Sequence, residues 1–182
     1  MRSSKKKGTL QLPVFRVLRK KHRYELTRDY SGKKPLFIAI LNGAFMFAAD
    51  VFKAIAFEAE ICFIKLASYK GTHSTGHVIT AIGLDANVQG RHVIILEDIV
   101  DTGKTLHTFL PQIQNQGPAS LKICALLHKA EAMQFALIVD YVGFTIPNRF
   151  VVGYGLDYDG LGRNLPEIYQ LAASSAANDD MQ

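Results

Sequence analysis

The 182-residue chain predicts an α/β domain, with a mostly parallel central sheet covered by helices on both faces. Three observations point there. Short uninterrupted apolar runs recur, as in Leu36-Phe37-Ile38-Ala39-Ile40-Leu41 and Val93-Ile94-Ile95-Leu96, the pattern of strands buried on both faces. Helix-compatible stretches separate these runs. Polar residues able to carry chemistry stand just beyond the runs, where open α/β sheets bind ligands, at the carboxyl ends of their strands.

The elements follow in order. The first strand, 36–41, stops at Asn42-Gly43, a turn signal. Residues 44–57 have helical spacing and few breakers, and residues 61–67 form a second apolar run rich in β-formers. Residues 68–80 (SYKGTHSTGHVIT) are polar, contain Gly71 and Gly76, and predict a long mobile loop. The third strand, 93–96, ends in Glu97-Asp98. A helix over 105–116 is stopped by Gly117-Pro118. Residues 121–127 form a fourth strand, and 141–146 and 150–152 two further short ones. No internal repeat and no linker divides the chain, so one compact unit is expected.

Composition narrows the class. With 48% hydrophobic residues a chain of this length has ample core material, burying roughly 70% of its unfolded surface, and needs no staples. Cys62 and Cys124 sit inside apolar runs and read as buried, reduced thiols; no CxxC or Cys/His spacing suggests zinc. His73 and His77, four apart in the glycine-containing loop, read as solvated, and His128 as packing. No apolar h-region marks the first residues as a secretory signal, and no run reaches membrane-spanning length, so a cytoplasmic protein is expected. The net charge of +5 is uneven: residues 1–34 hold 12 Lys and Arg against Glu25 and Asp29, and the rest of the chain is acidic. The basic stretch reads as a solvated, partly disordered arm, and no nucleic-acid partner is expected.

The informative segment is Ile94-Ile95-Leu96-Glu97-Asp98-Ile99-Val100-Asp101-Thr102-Gly103-Lys104-Thr105. An apolar strand runs into two adjacent carboxylates, then a third, then Thr102, Gly103 and Thr105 at a helix start. Exposed helix N–H groups, a glycine allowing close approach and hydroxyl donors make an anion cradle. The carboxylates suit ribose hydroxyls, a divalent metal or a proton. Three of them together repel one another without a ligand or cation. Acids beside an anion cradle imply a ligand that is both sugar and phosphate. A P-loop would need glycine at the position of Asp98, and that reading fails.

Glu97 to Thr105 resembles the signature by which type I phosphoribosyltransferases bind phosphoribosyl pyrophosphate (PRPP). Other segments are similar to the hypoxanthine-guanine branch: Leu41-Asn42-Gly43-Ala44, Lys65 to Tyr69 with Ser74-Thr75-Gly76, Leu126-Leu127-His128-Lys129, and Val142 to Tyr158. The resemblance spans roughly residues 24–171, leaving 1–23 as a basic arm and 172–182 as a polar tail, and it implies a small hood over the sheet.

The resemblance implies a role for each matching residue. Glu97 and Asp98 would hold the ribose hydroxyls, directly or through Mg²⁺; Thr102, Gly103, Lys104 and Thr105 would bind the 5′-phosphate. Asn42 and Gly43 would meet pyrophosphate through backbone, with Arg163. Ser68 and Tyr69 would close as a lid. Lys129 would donate to the purine O6, Phe150 would stack on the ring, Val151 would read the base edge, and Asp157 would hold Mg²⁺. Asp101 would be the general acid or base at the purine imidazole nitrogen. The implied reaction displaces pyrophosphate from PRPP by a purine nitrogen, and a homodimer or homotetramer is expected from the same resemblance. Three alternatives stay open: an RNA-binding regulator on this fold, an enzyme for another base, and an inactive member.

Overall fold

A computed structural model describes the backbone of residues 14–70 and 77–170, and the side chains of 21–67 and 81–170. Six strands, β1 (Leu36–Leu41), β2 (Glu60–Lys70), β3 (His77–Ile82), β4 (His92–Val100), β5 (Ser120–His128) and β6 (Tyr141–Thr145), form one sheet. Their order is β3-β2-β1-β4-β5-β6. All pair in parallel except the edge strand β3, which runs antiparallel to β2. A separate two-stranded ribbon, β7 (Val151–Val152) with β8 (Tyr169–Gln170), forms the small hood.

Side chains alternate across the central strands because successive Cβ atoms point to opposite faces. Phe37 and Ala39, Ile94 and Leu96, and Cys124 and Leu126 enter one core layer. Ile38 and Ile40, Val93 and Ile95, and Ile123 and Ala125 enter the other. Helix α2 (Phe45–Ala54) closes the first layer with Phe47, Ala48 and Val51; helix α3 (Lys104–Gln114) closes the second with Leu106, Phe109 and Ile113. Fully burying one such large side chain contributes roughly 1.5–3 kcal/mol. Cys124 is buried and unpaired as expected, while Cys62, also a free thiol, is only half-buried.

Four expectations are corrected. Helix α1 (Val14–Tyr30) replaces much of the expected arm and crosses the boundary drawn at 23/24. Its His22, Leu26 and Tyr30, four residues apart, are all buried, and that one-sided stripe outweighs the surrounding charge. Within the polar stretch 68–80, residues 68–70 and 77–80 are paired antiparallel strand, with Ser68 opposite Ile79 and Tyr69 opposite Val78, and 71–76 lie outside the described residues. Backbone pairing there overrides a composition that suggested a loop; His77 opens β3, and His73 lies outside the described residues. Third, β4 runs on to Val100, so Glu97 and Asp98 lie within the strand rather than after it. Fourth, β8 had no sequence signal. The tail 172–182 lies outside the described residues.

His22 gives α1 a measurable signature. Its ring is almost fully enclosed, packs edge-on to Phe47, and has no hydrogen-bond partner for either nitrogen, the Glu25 carboxylate standing 3.5 Å from Nδ1. Burial, and then the neighbouring Lys21 charge, push its pKa down from 6.5 to about 4. The native state therefore holds His22 neutral while the unfolded chain protonates it below pH 6.5. Stability from this site is complete above pH 6.5 and falls as pH drops toward 4, by up to about 3 kcal/mol at ~1.4 kcal/mol per pH unit. Denaturant titrations of His22→Phe should show that this share of the acid-side loss is gone. An unchanged slope between pH 6.5 and 4 would contradict it.

Candidate active site

The sheet order creates the site. From β1 the chain passes through α2 to β2 on one side; from β4 it passes through α3 to β5 on the other. The neighbouring carboxyl ends of β1 and β4 therefore open a crevice at a topological switch point. The turn after β1 carries the cis peptide Leu41–Asn42 and then Gly43. Gly43 lies so close to Asp98 that a Cβ there would coincide with the Asp98 carboxylate. Gly43→Ala should therefore displace Asp98 and weaken binding of PRPP, the ligand that the sequence resemblance implies, by about tenfold, the scale of one disturbed hydrogen-bonded charge. Calorimetric titration with PRPP reads this directly, and wild-type affinity would refute it.

On the β4 side, Glu97 and Asp98 are carboxylates taken largely out of water. Glu97 Oε2 is shielded from solvent and has no hydrogen-bond partner. Burial, then the charge of Asp98, holds the Glu97 pKa well above the usual carboxylate range. Burial likewise raises Asp98 to about 6, opposed by the N–H of Ile99 and the charge of Arg163, and assisted by Asp157. The Ile99 N–H donates to Asp98 Oδ1 at 2.9 Å. Such a pair is costly by itself and suited to a ligand that supplies donors or cations.

The next turn swings into α3. Gly103, at the N-cap, has φ +81°, which glycine adopts without penalty. Thr102 Oγ1 accepts the Lys104 N–H at 3.3 Å, and the helix has no acidic residue in its first turn to compete for its N–H groups. A cavity of about 80 Å³ lies here, bounded by Glu97, Asp101 and the run from Thr102 to Leu106. An anion in it would meet the positive end of the helix dipole. Sequence reasoning missed what backs this turn. The Gln134 and Phe135 N–H groups donate to the Thr102 carbonyl at 3.0 and 3.3 Å, and Met133 packs against Gly103. These lie in an irregular segment without a motif.

Asp101 and Lys129, 28 residues apart, meet directly: Lys129 Nζ donates to Asp101 Oδ2 at 2.7 Å. Lys129 is only 6% exposed, and its own N–H is fixed to the Val100 carbonyl at 2.9 Å. A buried ammonium needs such a partner, so the pair is structurally constrained. It offers one acceptor and one donor side by side. His128 Nε2 is buried without a partner next to it.

The hood supplies the rest. Phe150 is half-exposed and meets Tyr158 edge-on at 5.6 Å between ring centroids, leaving a ring face available, while Val151 is buried in β7. Arg163 is engaged within the hood: Nη2 pairs with Asp157 Oδ1 at 2.6 Å and Nη1 donates to the Gly155 carbonyl at 2.7 Å. Asp157 Oδ2 accepts the Gly160 N–H at 2.7 Å. Gly155, at φ +99°, rests on the Gly43 carbonyl so closely that a Cβ would strike it. Gly43 thus joins hood and acidic pair. Ser68 and Tyr69 belong to β2 by backbone, and their side chains lie outside the described residues.

Among the described residues no three His, Cys, Asp or Glu side chains converge on one metal position. Glu97, Asp98 and Asp157 are therefore not a preformed three-carboxylate cage. Asp98 and Asp157 lie within electrostatic reach of each other, which fits Mg²⁺, an ion commonly held by one or two carboxylates plus substrate phosphates.

Comparison with known proteins agrees with this geometry. The model of the phosphoribosyl transferase domain matches residues 16–159. The hypoxanthine-guanine-xanthine phosphoribosyltransferase of Tritrichomonas foetus is 42% identical over 145 residues, covering 79% of each chain. The hypoxanthine-guanine phosphoribosyltransferase of Streptococcus pneumoniae strain R6 is 43% identical over 145 residues, 79% of this chain and 81% of that one. A crystal structure of a hypoxanthine phosphoribosyltransferase from Staphylococcus aureus superposes with a TM-score of 0.85 at 38% identity, covering 94% of this chain and 95% of that one. The acidic strand end, the helix-capped cavity beside it and the hood above it thus belong to a known enzyme architecture, and the chain is a member of the phosphoribosyl transferase family, in its hypoxanthine-guanine phosphoribosyltransferase branch.

Proposed function

We propose that the crevice transfers the 5-phosphoribosyl group of PRPP to hypoxanthine or guanine, giving IMP or GMP and pyrophosphate in purine salvage. The observation that carries this reading is the adjacency of a half-buried, desolvated acidic pair, an anion cavity at a helix start and the Asp101–Lys129 pair along one strand end. PRPP would place its 5′-phosphate in the cavity at Thr102, Gly103, Lys104 and Thr105, its ribose hydroxyls on Glu97 and Asp98, and its pyrophosphate toward Asn42, Gly43 and Arg163.

The base would lie under Phe150 with Val151 at its edge. On a 6-oxopurine, O6 and N7 are neighbours, matching the donor and acceptor of Lys129 and Asp101. Asp101 would hold or move the proton at the imidazole nitrogen. The carboxylates would stabilise positive charge developing on the ribosyl carbon. Arg163 would reach pyrophosphate by exchanging its hood contacts, and Ser68 and Tyr69 would cover the reacting centre. Mg²⁺, held by Asp157 and by Glu97 or Asp98 with substrate oxygens, supplies neutralisation of the leaving pyrophosphate when bound.

The wider reading is a cytoplasmic homodimer or homotetramer working on small-molecule substrates. No helix among the described residues is long and apolar enough to cross a membrane. A steady-state assay with PRPP and Mg²⁺, offering hypoxanthine, guanine, xanthine and adenine separately, tests the base assignment. Turnover of hypoxanthine or guanine without adenine supports it; turnover of adenine alone sinks it.

A further inference from the structure

We propose that Asp50 and Tyr154, neither of them assigned a substrate contact, form a tether that positions the hood turn over the crevice and thereby sets the affinity for PRPP. The inference rests on the proposed function only for the identity of that ligand.

The tether is a short hydrogen bond. Tyr154 is 5% exposed, and its hydroxyl donates to Asp50 Oδ2 of α2 at 2.5 Å. Asp50 is itself mostly buried and held from its other oxygen by Lys53, 3.0 Å away. Tyr154 sits at φ +52°, a left-handed conformation that a non-glycine residue rarely adopts unaided. Contacts hold it there: the packing of its ring in the core, the Asp50 bond, and its N–H to the Leu165 carbonyl at 2.8 Å.

What Tyr154 holds is the next residue. Gly155 rests on the Gly43 carbonyl, and its own carbonyl receives Arg163, which also grips Asp157. Gly43 in turn lies against Asp98. One hydrogen bond to α2 thus fixes the turn that presses the β1 loop onto the acidic pair. Asp50 follows that loop on the same helix, so the tether ties both walls of the crevice to one rigid element.

The test uses the full chain. Tyr154→Phe and Asp50→Ala should each raise the PRPP Kd and KM roughly tenfold, the scale of one lost hydrogen bond to a charged group, with kcat at saturating PRPP nearly unchanged. The double variant should be no weaker than either single one, because both remove the same bond. Asp50→Asn, which keeps an acceptor, should stay near wild type, and so should Lys53→Ala. Amide exchange by mass spectrometry, which needs no substrate, should show faster exchange at 42–45 and 153–157 in Tyr154→Phe and Asp50→Ala only. Variants that lose thermal stability but keep PRPP affinity and exchange at 42–45 would make the bond merely structural and overturn the proposal. A wild-type protein that binds no PRPP would refute the functional reading, and the exchange result alone would then decide the tether.

Discussion

Asp101→Asn lowers turnover by roughly 10²–10⁴-fold, the usual worth of a positioned general acid or base, while PRPP binding stays close to wild type. The geometry separates the two readouts. Asp101 sits at one end of the anion cavity but spends its carboxylate on Lys129, at 2.7 Å, rather than on the helix start. Asparagine keeps an oxygen that accepts from Lys129 and removes the charge that balances a buried ammonium, so some stability is lost as well. The assignment therefore needs the chemical step measured apart from folding. Single-turnover rates at saturating PRPP, beside PRPP titration calorimetry on the same folded variant, do this. Unchanged turnover would remove Asp101 from the chemistry.

Asp98→Asn should act in opposite directions on stability and on function. Asp98 has its pKa raised from 3.8 to about 6, chiefly by burial. A carboxyl raised in the fold costs stability whenever it is ionised, so the native state is penalised above pH 6 and relieved as pH falls toward 3.8. At ~1.4 kcal/mol per pH unit the penalty at pH 7 is up to about 3 kcal/mol. Asparagine removes it and keeps an oxygen for the Ile99 N–H. The variant should unfold at higher denaturant concentration than wild type at pH 7, lose that advantage near pH 4, and bind PRPP about ten- to a hundredfold more weakly, as expected if the ribose contact proposed for Asp98 is a charged hydrogen bond. A variant both less stable at pH 7 and undiminished in PRPP binding would contradict this account of the acidic pair.

These two residues also show where sequence is informative. Glu97, Asp98 and Asp101 stood out because charged groups rarely follow four buried apolar residues without a ligand to justify them. The central strands were legible for the complementary reason: burial on both faces writes an unbroken apolar run. Helix α1 was not, because its buried stripe of His22, Leu26 and Tyr30 is diluted by six Lys and Arg between residues 14 and 30. The hairpin arms at 68–70 and 77–80 were hidden because strand pairing satisfies backbone groups whatever the side chains are. Roles resting on contacts distant in sequence were out of reach. Nothing in the chain joins Asp101 to Lys129, Gly155 to Gly43 or Tyr154 to Asp50 until the sheet order brings them together.

A crevice that moves a phosphoribosyl group to a purine, rather than merely binding PRPP, leaves a signature in phosphorus NMR of the purified chain with PRPP, Mg²⁺ and hypoxanthine. The PRPP signals should disappear as pyrophosphate and a nucleoside monophosphate grow in equal amounts, with no such change when hypoxanthine is withheld. PRPP left intact by folded protein, or pyrophosphate released without matching nucleotide, would contradict that transfer.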